Sequence, residues 1–263
     1  VGGVLDRRKG PASEAAQSGK QQYFRYQGPI VDAIAFNTHR PLFRDVRLRR
    51  AVNYALDRPA LAAAFADTPA DQIVPAAVRS FGVEHVYPDG GPDLAAARQL
   101  VGTGRQRHAV IGICGNDARL PRLAEILRTD LARIRISGSV TQSADCPGRM
   151  RDADLMFLYP LGDDELDPEP FIEQALDSSV YGAPLGPGPW GSKEFRSQLE
   201  RAQALRGGAR LAAFRRLEVK LMRMAPLAVY GQWVWAEYLS PKLGCRVSQG
   251  EFGFTDLGAL CKP

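Results

Sequence analysis

The sequence predicts an α/β domain in which a mixed sheet is flanked by helices. Apolar runs typical of strands cover 30–37, 108–114, 135–142 and 154–159. Between them, apolar residues recur at helical spacing over 46–57 and 116–133. This alternation of strands and helices predicts neighbouring, partly parallel strands. The chain has 263 residues, 45% of them hydrophobic, which is enough for a sizeable core.

Residues 34–58 predict a strand followed by two helices. Asp45 stands where its carboxylate can cap a helix over 46–57, and Asp57 can cap a second helix over 58–66. The first helix has an apolar stripe made of Leu48, Ala51, Val52, Ala55 and Leu56. Residues that lie mostly off this stripe are Arg47, Arg49, Arg50 and Asn53, and the three arginines are expected on a solvated face.

The other elements follow in order along the chain. Residues 1–29 are polar and residues 67–91 are rich in proline, so irregular structure is expected in both. Asn116 or Asp117 is expected to cap the helix at 116–133. Further helices are predicted at 92–101, 169–176, 192–205 and 208–224. Residues 227–241 predict a strand or a bent hairpin.

The net charge of +5 does not indicate a nucleic-acid partner. Binding to phosphates requires clustered Lys and Arg. Here the basic residues are spread along helices, as at Arg201, Arg206, Arg210, Arg215 and Arg216, and no aromatic-basic groove motif or zinc-finger spacing appears. We therefore expect solvated helix faces and no nucleic acid among the partners.

No catalytic, cofactor or metal site is predicted. The chain has three histidines and no Gly-x-Ser-x-Gly turn, and residues 112–116 lack the glycine spacing and Lys-Ser/Thr ending of a phosphate loop. An acidic run from Asp163 to Glu169 could offer oxygen ligands to calcium, but it lacks the spacing of an EF-hand loop. A solvated acidic loop is the favoured interpretation.

Four cysteines are typical of an exported protein. Four cysteines allow three pairings. Cys114 and Cys146 each follow a predicted strand, whereas Cys245 and Cys261 both lie in the tail, so these two pairs are preferred. Four unpaired thiols are the alternative.

Aromatic residues concentrate in the loops and in the last predicted strand. An amphipathic ligand pocket requires such rings beside a few polar groups. Strand alternation places Trp233 and Trp235 on one face and Val234 on the other. One of the two tryptophans is expected to contact ligand, and packing in the core is the alternative. The predicted aromatic ligand contacts are Tyr159, Tyr181, Trp190, Tyr230 and Trp233.

The wording of residues 34–58, IAFNTHRPLFRDVRLRRAVNYALDR, resembles a known family signature. That signature is an apolar strand ending in Phe-Asn, then Pro-Phe-x-Asp-x-Arg-x-Arg-Arg-Ala and Tyr-Ala-Ile/Leu-Asp-Arg. It is typical of extracellular solute-binding proteins of family 5, the oligopeptide, dipeptide and nickel receptors of ABC importers. Four later segments resemble the family in the same order, namely 87–101, 123–136, 154–168 and 224–230. Arg135 stands where the family usually has Gly, so a different turn is expected there.

The resemblance implies a periplasmic-binding-protein-like (class II) second lobe. Residues 1–29 would form a leading hinge segment, 30–240 the α/β ligand-binding lobe, and 241–263 a return segment toward a missing first lobe. Because family members are about twice as long, a trimmed chain is expected rather than an unusual natural protein. In peptide-binding members an Asp holds the ligand's α-ammonium, and Asp177 is the nearest match by order.

The function implied is that of a non-catalytic receptor lobe that closes over a solute by a hinge. Its partners would be a small solute or peptide, the first lobe, and the membrane subunits of an ABC permease. Its location would be periplasmic or extracellular, with a lipid anchor possible in such proteins. The alternative is a ligand-sensing or envelope-assembly module that reuses the fold without transport.

Overall fold

The computed structural model describes residues 19–78, 81–82, 84–143, 150–157, 160–162, 166–176, 188–249 and 254–262. The strands are β1 (Gln22–Phe36), β2 (Thr68–Pro69), β3 (Arg107–Cys114), β4 (Ile136–Ser143), β5 (Leu155–Phe157), β6 (Leu161–Gly162), β7 (Leu227–Leu239), β8 (Ser248–Gln249) and β9 (Phe254–Thr255). The α-helices are α1 (Val46–Ala55), α2 (Arg58–Ala63), α3 (Leu94–Val101), α4 (Leu120–Arg133), α5 (Pro168–Leu176), α6 (Lys193–Gln203) and α7 (Gly207–Met224).

One mixed sheet organises the lobe. Its strand order is β2-β7-β1-β5-β3-β4, and β6 also pairs with β1. β3 is parallel to β4 and to β5, whereas β1 is antiparallel to β5 and to β7. The predicted mixed α/β sheet flanked by helices is therefore confirmed.

Both faces of the sheet are buried, which explains why the second half of β1 is apolar on both faces apart from Asp32. Val31, Ala33 and Ala35 face a core that includes residues of α5, α6 and α7. Ile34 and Phe36 point to the other side, into a core with residues of α1 and α4. The apolar stripes predicted for the helices at 46–57 and 116–133 are thus buried against the sheet.

β1 begins earlier than the sequence pattern indicated. The predicted start was residue 30, but β1 already pairs with β7 from Gln22, opposite Leu239. The Tyr23 and Tyr238 rings stack with centroids 4.8 Å apart. Polar residues alternate with the aromatic ones in this half of β1, so its sequence resembled that of irregular structure. The aromatic pair joins two strands that are far apart in sequence but adjacent in the sheet, and it accounts for the stability of this half. Residues 227–239 form one strand rather than a bent hairpin.

Arg49 was expected on the solvated face of α1 but is buried, so that expectation was wrong. Arg49 is 2% exposed and Asn53 is fully buried. Arg49 Nε donates to the Ala225 carbonyl at 2.9 Å, and Nη2 donates to the Met224 carbonyl at 2.7 Å. Its Nη1 also donates to the Phe43 carbonyl at 2.8 Å. A buried arginine is tolerated here because main-chain oxygens at the C-terminal end of α7 receive its N–H groups.

The ends of the helices agree with the predictions in part. Asp45 caps α1 and Asp57 caps α2, as predicted. α4 starts at Leu120 rather than 116, because Asp117 accepts from the Arg119 N–H in a preceding turn. Arg135 adopts a left-handed φ of 63°. The turn therefore keeps a backbone conformation that favours glycine, although a different turn was expected.

The C-terminal segment contains a disulfide and forms hydrogen bonds to β7. Cys245 and Cys261 form a disulfide with a Cα–Cα distance of 5.3 Å, which is the pair preferred from the sequence. Buried Glu237 on β7 accepts from Thr255 N at 3.0 Å and from Arg246 Nη2 at 3.1 Å. Cys114 is also disulfide-bonded. Its preferred partner from the sequence, Cys146, lies outside the described residues.

Candidate ligand-binding edge

One edge of the sheet is formed by the carboxyl ends of β3 and β4. These two strands pair in register from Arg107 with Ile136 to Cys114 with Ser143. Because β1 runs the opposite way, Ile30 and Asp32 of β1 and the facing part of β7 lie near this same edge. Ligands of open α/β sheets bind outside the carboxyl ends of the strands. This carboxyl edge is therefore the candidate ligand-binding site.

Asp32 and Trp233 form a polar pair at the carboxyl edge. The pairing of β1 with β7 changes register between Gln27 and Val31 and again between Asp32 and Ala33. Such irregularities redirect side chains beside binding sites. Trp233 Nε1 donates to Asp32 Oδ1 at 3.0 Å, with Asp32 buried and Trp233 half-buried. The hydrogen bond fixes the orientation of the indole.

A second polar group at this edge is centred on Arg119. Its Nη2 lies 2.5 Å from Asp117 Oδ2, and its guanidinium carbon lies 4.1 Å from the centre of the Phe65 ring. The hydrogen bond from Arg119 to Asp117 raises the pKa of the guanidinium, and the carboxylates of Asp67 and Asp32 add to this increase. Arg119 therefore carries a full positive charge at any physiological pH.

Asp67 connects the two groups. Its Oδ1 accepts from Val234 N at 3.1 Å, next to Trp233 on β7. The edge thus brings together aromatic faces, carboxylates and one guanidinium. This composition fits an amphipathic solute that carries charges of both signs. Within the described ranges, no group of three or more His, Cys, Asp or Glu side chains could hold a metal ion.

The predicted ligand contacts lie in different parts of the structure. Trp233 lies at the carboxyl edge. Tyr159, Asp177 and Tyr181 lie outside the described residues, so their roles stay predictions.

Trp190 is 5% exposed and belongs to the core on the α5–α7 side of the sheet. The Arg49 guanidinium lies 5.2 Å from its ring centre. Because Arg49 binds the carbonyls of Met224 and Ala225, just before β7 begins, Trp190 lies near the end of the sheet opposite the carboxyl edge.

Tyr230 is 3% exposed and lies in the core on the other side of the sheet. Its ring meets the Phe157 ring edge to face, with centroids 5.9 Å apart. Burial in the core is the alternative that the sequence left open for these aromatic residues. Tyr230 and Trp190 present little surface to a ligand of this lobe.

Sequence reasoning missed four residues of the carboxyl edge, namely Asp32, Phe65, Asp67 and Arg119. Asp32 lies within an apolar strand, where its charge was a visible but unused signal. Asp117 was interpreted only as a helix cap, although the position of residues 115–119 after a parallel strand is typical of binding loops. Phe65 and Asp67 gave no comparable signal, because they belong to the edge only through the pairing of β2 with β7.

Comparison with known proteins identifies the family. The profile of the bacterial extracellular solute-binding proteins, family 5 (middle region), matches residues 2–183. This chain belongs to that family, whose members are solute-binding receptors rather than enzymes. Across the described residues, no helix is both long and apolar enough to cross a membrane.

Individual relatives agree with this assignment. Heme-binding protein A of Haemophilus influenzae is 28% identical over 249 residues, which cover 89% of this chain and 45% of that protein. The structure of HbpA2 from Haemophilus parasuis has a TM-score of 0.79 at 20% identity, covering 96% of this chain and 52% of that one. The chain therefore spans about half the length of the relatives it matches.

A third relative has the same fold. It is the dipeptide binding protein from Pseudoalteromonas sp. SM9913, solved in complex with Met-Leu, with a TM-score of 0.69 at 19% identity. The alignment covers 95% of this chain and 52% of that one. The expected periplasmic-binding-protein-like fold is confirmed by these similarities.

Proposed function

We propose that this chain is the substrate-binding second lobe of an ABC-importer solute receptor. The observation that carries the proposal is membership of family 5 over residues 2–183. The proposed solute is a peptide or a similar small polar molecule, delivered to the membrane subunits of an ABC permease. The proposed location is periplasmic or extracellular, with a lipid anchor on the full-length protein.

The proposed mechanism is closure of two lobes by a hinge. In this proposal the paired ends of β1 and β7 lead toward the first lobe, residues 30–240 form the ligand-binding lobe, and residues 241–263 return toward the first lobe. The arrangement of Gln22–Gln27 is consistent with this, since these residues pair with β7 beyond the neighbouring strand β6. Arg246 packs against this paired part of β1 and β7, because its guanidinium carbon lies 3.8 Å from the Phe24 ring centre.

The proposed solute contacts at the carboxyl edge are Trp233, Asp32 and Arg119. Trp233 would provide an apolar wall, Asp32 would hold that wall in place, and Arg119 would bind a carboxylate of the solute. Tyr159, Asp177 and Tyr181, which were predicted from the sequence, remain proposed contacts. Asp177 would bind the α-ammonium group of a peptide.

Binding by the full-length protein tests the proposal. Trp233→Leu should weaken solute binding by at least about tenfold, the usual effect of removing a central aromatic contact. Calorimetry with a mixed dipeptide library provides the measurement. Trp190→Leu is the matched control, since its buried ring should affect thermal stability more than affinity. Normal solute affinity in a folded Trp233→Leu protein would remove Trp233 from the site.

Heme is a second candidate solute, because the relative from Haemophilus influenzae is named a heme-binding protein. The same variants should be titrated with heme and followed by its absorption spectrum. Binding of heme without binding of any dipeptide would replace the peptide proposal but keep the receptor role.

The alternative function is a ligand-sensing or envelope-assembly module. A DNA-binding domain in the full-length protein would favour the sensor. A signal peptide with a lipidation cysteine, in a gene next to permease genes, would favour the importer receptor.

A further inference from the structure

A strongly basic groove lies on the lobe away from the carboxyl edge. It occupies about 530 Å³ between the second half of α7, α1 and the loop at Glu84. We call it the cationic groove, and its basic residues are Arg50, Arg215, Arg216, Lys220 and Arg223. A neighbouring cavity of about 310 Å³ shares Arg50 and Arg223 with it, so the two form one elongated depression.

Two groove arginines donate to main-chain carbonyl groups. Arg50 Nε donates to the Arg223 carbonyl at 2.6 Å, and Arg215 Nε donates to the Phe81 carbonyl. A carbonyl group orients a guanidinium but leaves its net charge in place. The charge of Arg50 is therefore still available to an external anion.

The remaining cations of the groove differ in their partners. Lys220 Nζ lies 2.7 Å from Glu194 Oε1 and is neutralised there. Arg216 and Arg223 are exposed, and neither forms an ion pair within the described part of the chain. Glu84 is the carboxylate that lines the groove. Positive charge is thus in excess.

Surface arginines elsewhere on this protein have mixed partners. Arg47, Arg128 and Arg133 pair with carboxylates, whereas Arg44 and Arg201 donate to carbonyl or hydroxyl oxygens. Glu218, the acidic residue of α7, does not compensate the groove, because it is 1% exposed and accepts from Val74 N at 2.7 Å on the buried side of the helix. α7 therefore contributes cations to the groove but no surface carboxylate.

We propose that the cationic groove binds an acidic segment of a protein partner. Carboxylates of the segment pair with Arg216, Arg223 and Arg50, while its apolar side chains rest on Val219 and Met224. The two joined cavities fit an extended segment better than a single small anion, which one cavity alone would accommodate. Solvent-exposed charge pairs are individually weak, so the complex depends on several of them and on ionic strength.

The test measures binding of a short labelled peptide in which Glu and Asp alternate with Leu. Fluorescence anisotropy with the purified chain should give saturable binding with one peptide per chain that weakens as salt is added. Arg216→Glu/Arg223→Glu should weaken it by at least about tenfold, because two attractive contacts become repulsive. Both side chains are exposed, and circular dichroism establishes that the variant is folded. If it is not, Arg216→Gln/Arg223→Gln takes its place.

The matched control is Arg105→Glu/Arg135→Glu, which changes the net charge equally at two exposed positions outside the groove. Peptide affinity should stay within about twofold of the unmodified chain. Equal weakening in both double variants would show general charge attraction and overturn the proposal. It would also be overturned if vesicles containing phosphatidylglycerol, or inorganic phosphate, bound in a groove-dependent manner while the peptide did not bind. Solute binding by the full-length protein is a separate measurement, so failure here leaves the receptor proposal intact.

Discussion

Buried arginines are the residue-scale feature that links the family signature to the fold. Arg58 is fully buried, and its N–H groups reach the carbonyls of Val229, Asn53 and Pro88 at 2.7–3.0 Å. Burial lowers the pKa of Arg58 and of Arg49 to about 10, so both stay charged at neutral pH. Arg49 and Arg58 of the signature therefore bind main-chain oxygens of the α7–β7 region.

Arg135→Gly should stabilise the lobe. A left-handed backbone costs a non-glycine residue about 1–2 kcal/mol, and glycine returns part of that gain through its greater freedom in the unfolded chain. The net expectation is an increase of up to about 1 kcal/mol in the free energy of unfolding by urea. Arg135→Ala keeps the φ of 63° and should change little. A glycine variant less stable than the alanine variant would contradict the argument.

Glu218 should make stability depend on pH. Burial raises the pKa of its carboxyl to about 8, despite hydrogen bonds from the Val74 and Ile73 N–H groups. Between about pH 4.5 and 8 the unfolded chain releases a proton that the folded chain keeps, so stability falls as pH rises.

Glu218→Gln removes this titration. The unmodified chain should lose about 1.4 kcal/mol per pH unit relative to the variant across that window. Urea unfolding at a series of pH values gives the comparison. Glu200→Gln, at an exposed position, should leave the pH profile unchanged. Parallel profiles for the unmodified chain and Glu218→Gln would mean that Glu218 is ionised in the folded state.

At the scale of elements, the periodicity of apolar residues located the helices and strands well. α1, α4 and α7 lie within a few residues of their predicted bounds, because each has an apolar stripe and its own start or stop residues. The first half of β1 was missed, since its partner residues on β7 are some two hundred positions away. The burial of Arg49 was missed for the same reason: its carbonyl partners on Met224 and Ala225 are distant in sequence.

The candidate site was less predictable than the elements. An aromatic residue in a strand can face a core or a cleft, and residue type does not distinguish the two. Trp190, in a segment rich in Gly and Pro, and Trp233, in a strand, were both predicted to contact ligand, yet one packs beside Arg49 in the core and the other donates to Asp32 at the carboxyl edge. Their different positions depend on long-range packing that the local sequence does not encode.

The disulfide should stabilise the C-terminal segment. Cys245 and Cys261 are 16 residues apart, and closing a loop of this size contributes about 3 kcal/mol in the chain-entropy account. Cys245→Ser/Cys261→Ser should therefore increase hydrogen exchange at the amides of Thr255 and Gly244 by at least about tenfold, while amides of β3 stay protected. Uniform loss of protection throughout the sheet would show that the segment is required for the whole fold.

At the scale of the whole molecule, β7 joins the two hydrophobic cores. It lies between β2 and β1, and its own residues divide between the two cores, with Leu227 and Val229 in one and Ala228 and Tyr230 in the other. The lobe is therefore expected to unfold as one unit rather than as two halves.

Truncation tests this expectation. A chain ending at Met224 should show no cooperative thermal transition, because β1 would lose its longest pairing and both cores would be exposed. A chain ending at Ser240 keeps β7 and should still unfold cooperatively at a lower temperature. Calorimetry of the two chains provides the comparison. A normal transition in the shorter chain would assign β7 to the periphery of the fold.

The pairing of Gln22 with Leu239 also determines when the sheet can fold during synthesis. A ribosome makes β1 early and β7 late, so the nascent lobe carries an unsatisfied central strand until almost all of its residues have emerged. Nascent chains in this state present unpaired strand edges that favour aggregation and that chaperones recognise. This delay is useful for a protein proposed to act outside the cytoplasm. A secretion channel that transports unfolded chains does not admit folded domains. The same long-range pairing that completes the sheet would thus postpone folding until the chain has reached the compartment where its disulfides can form.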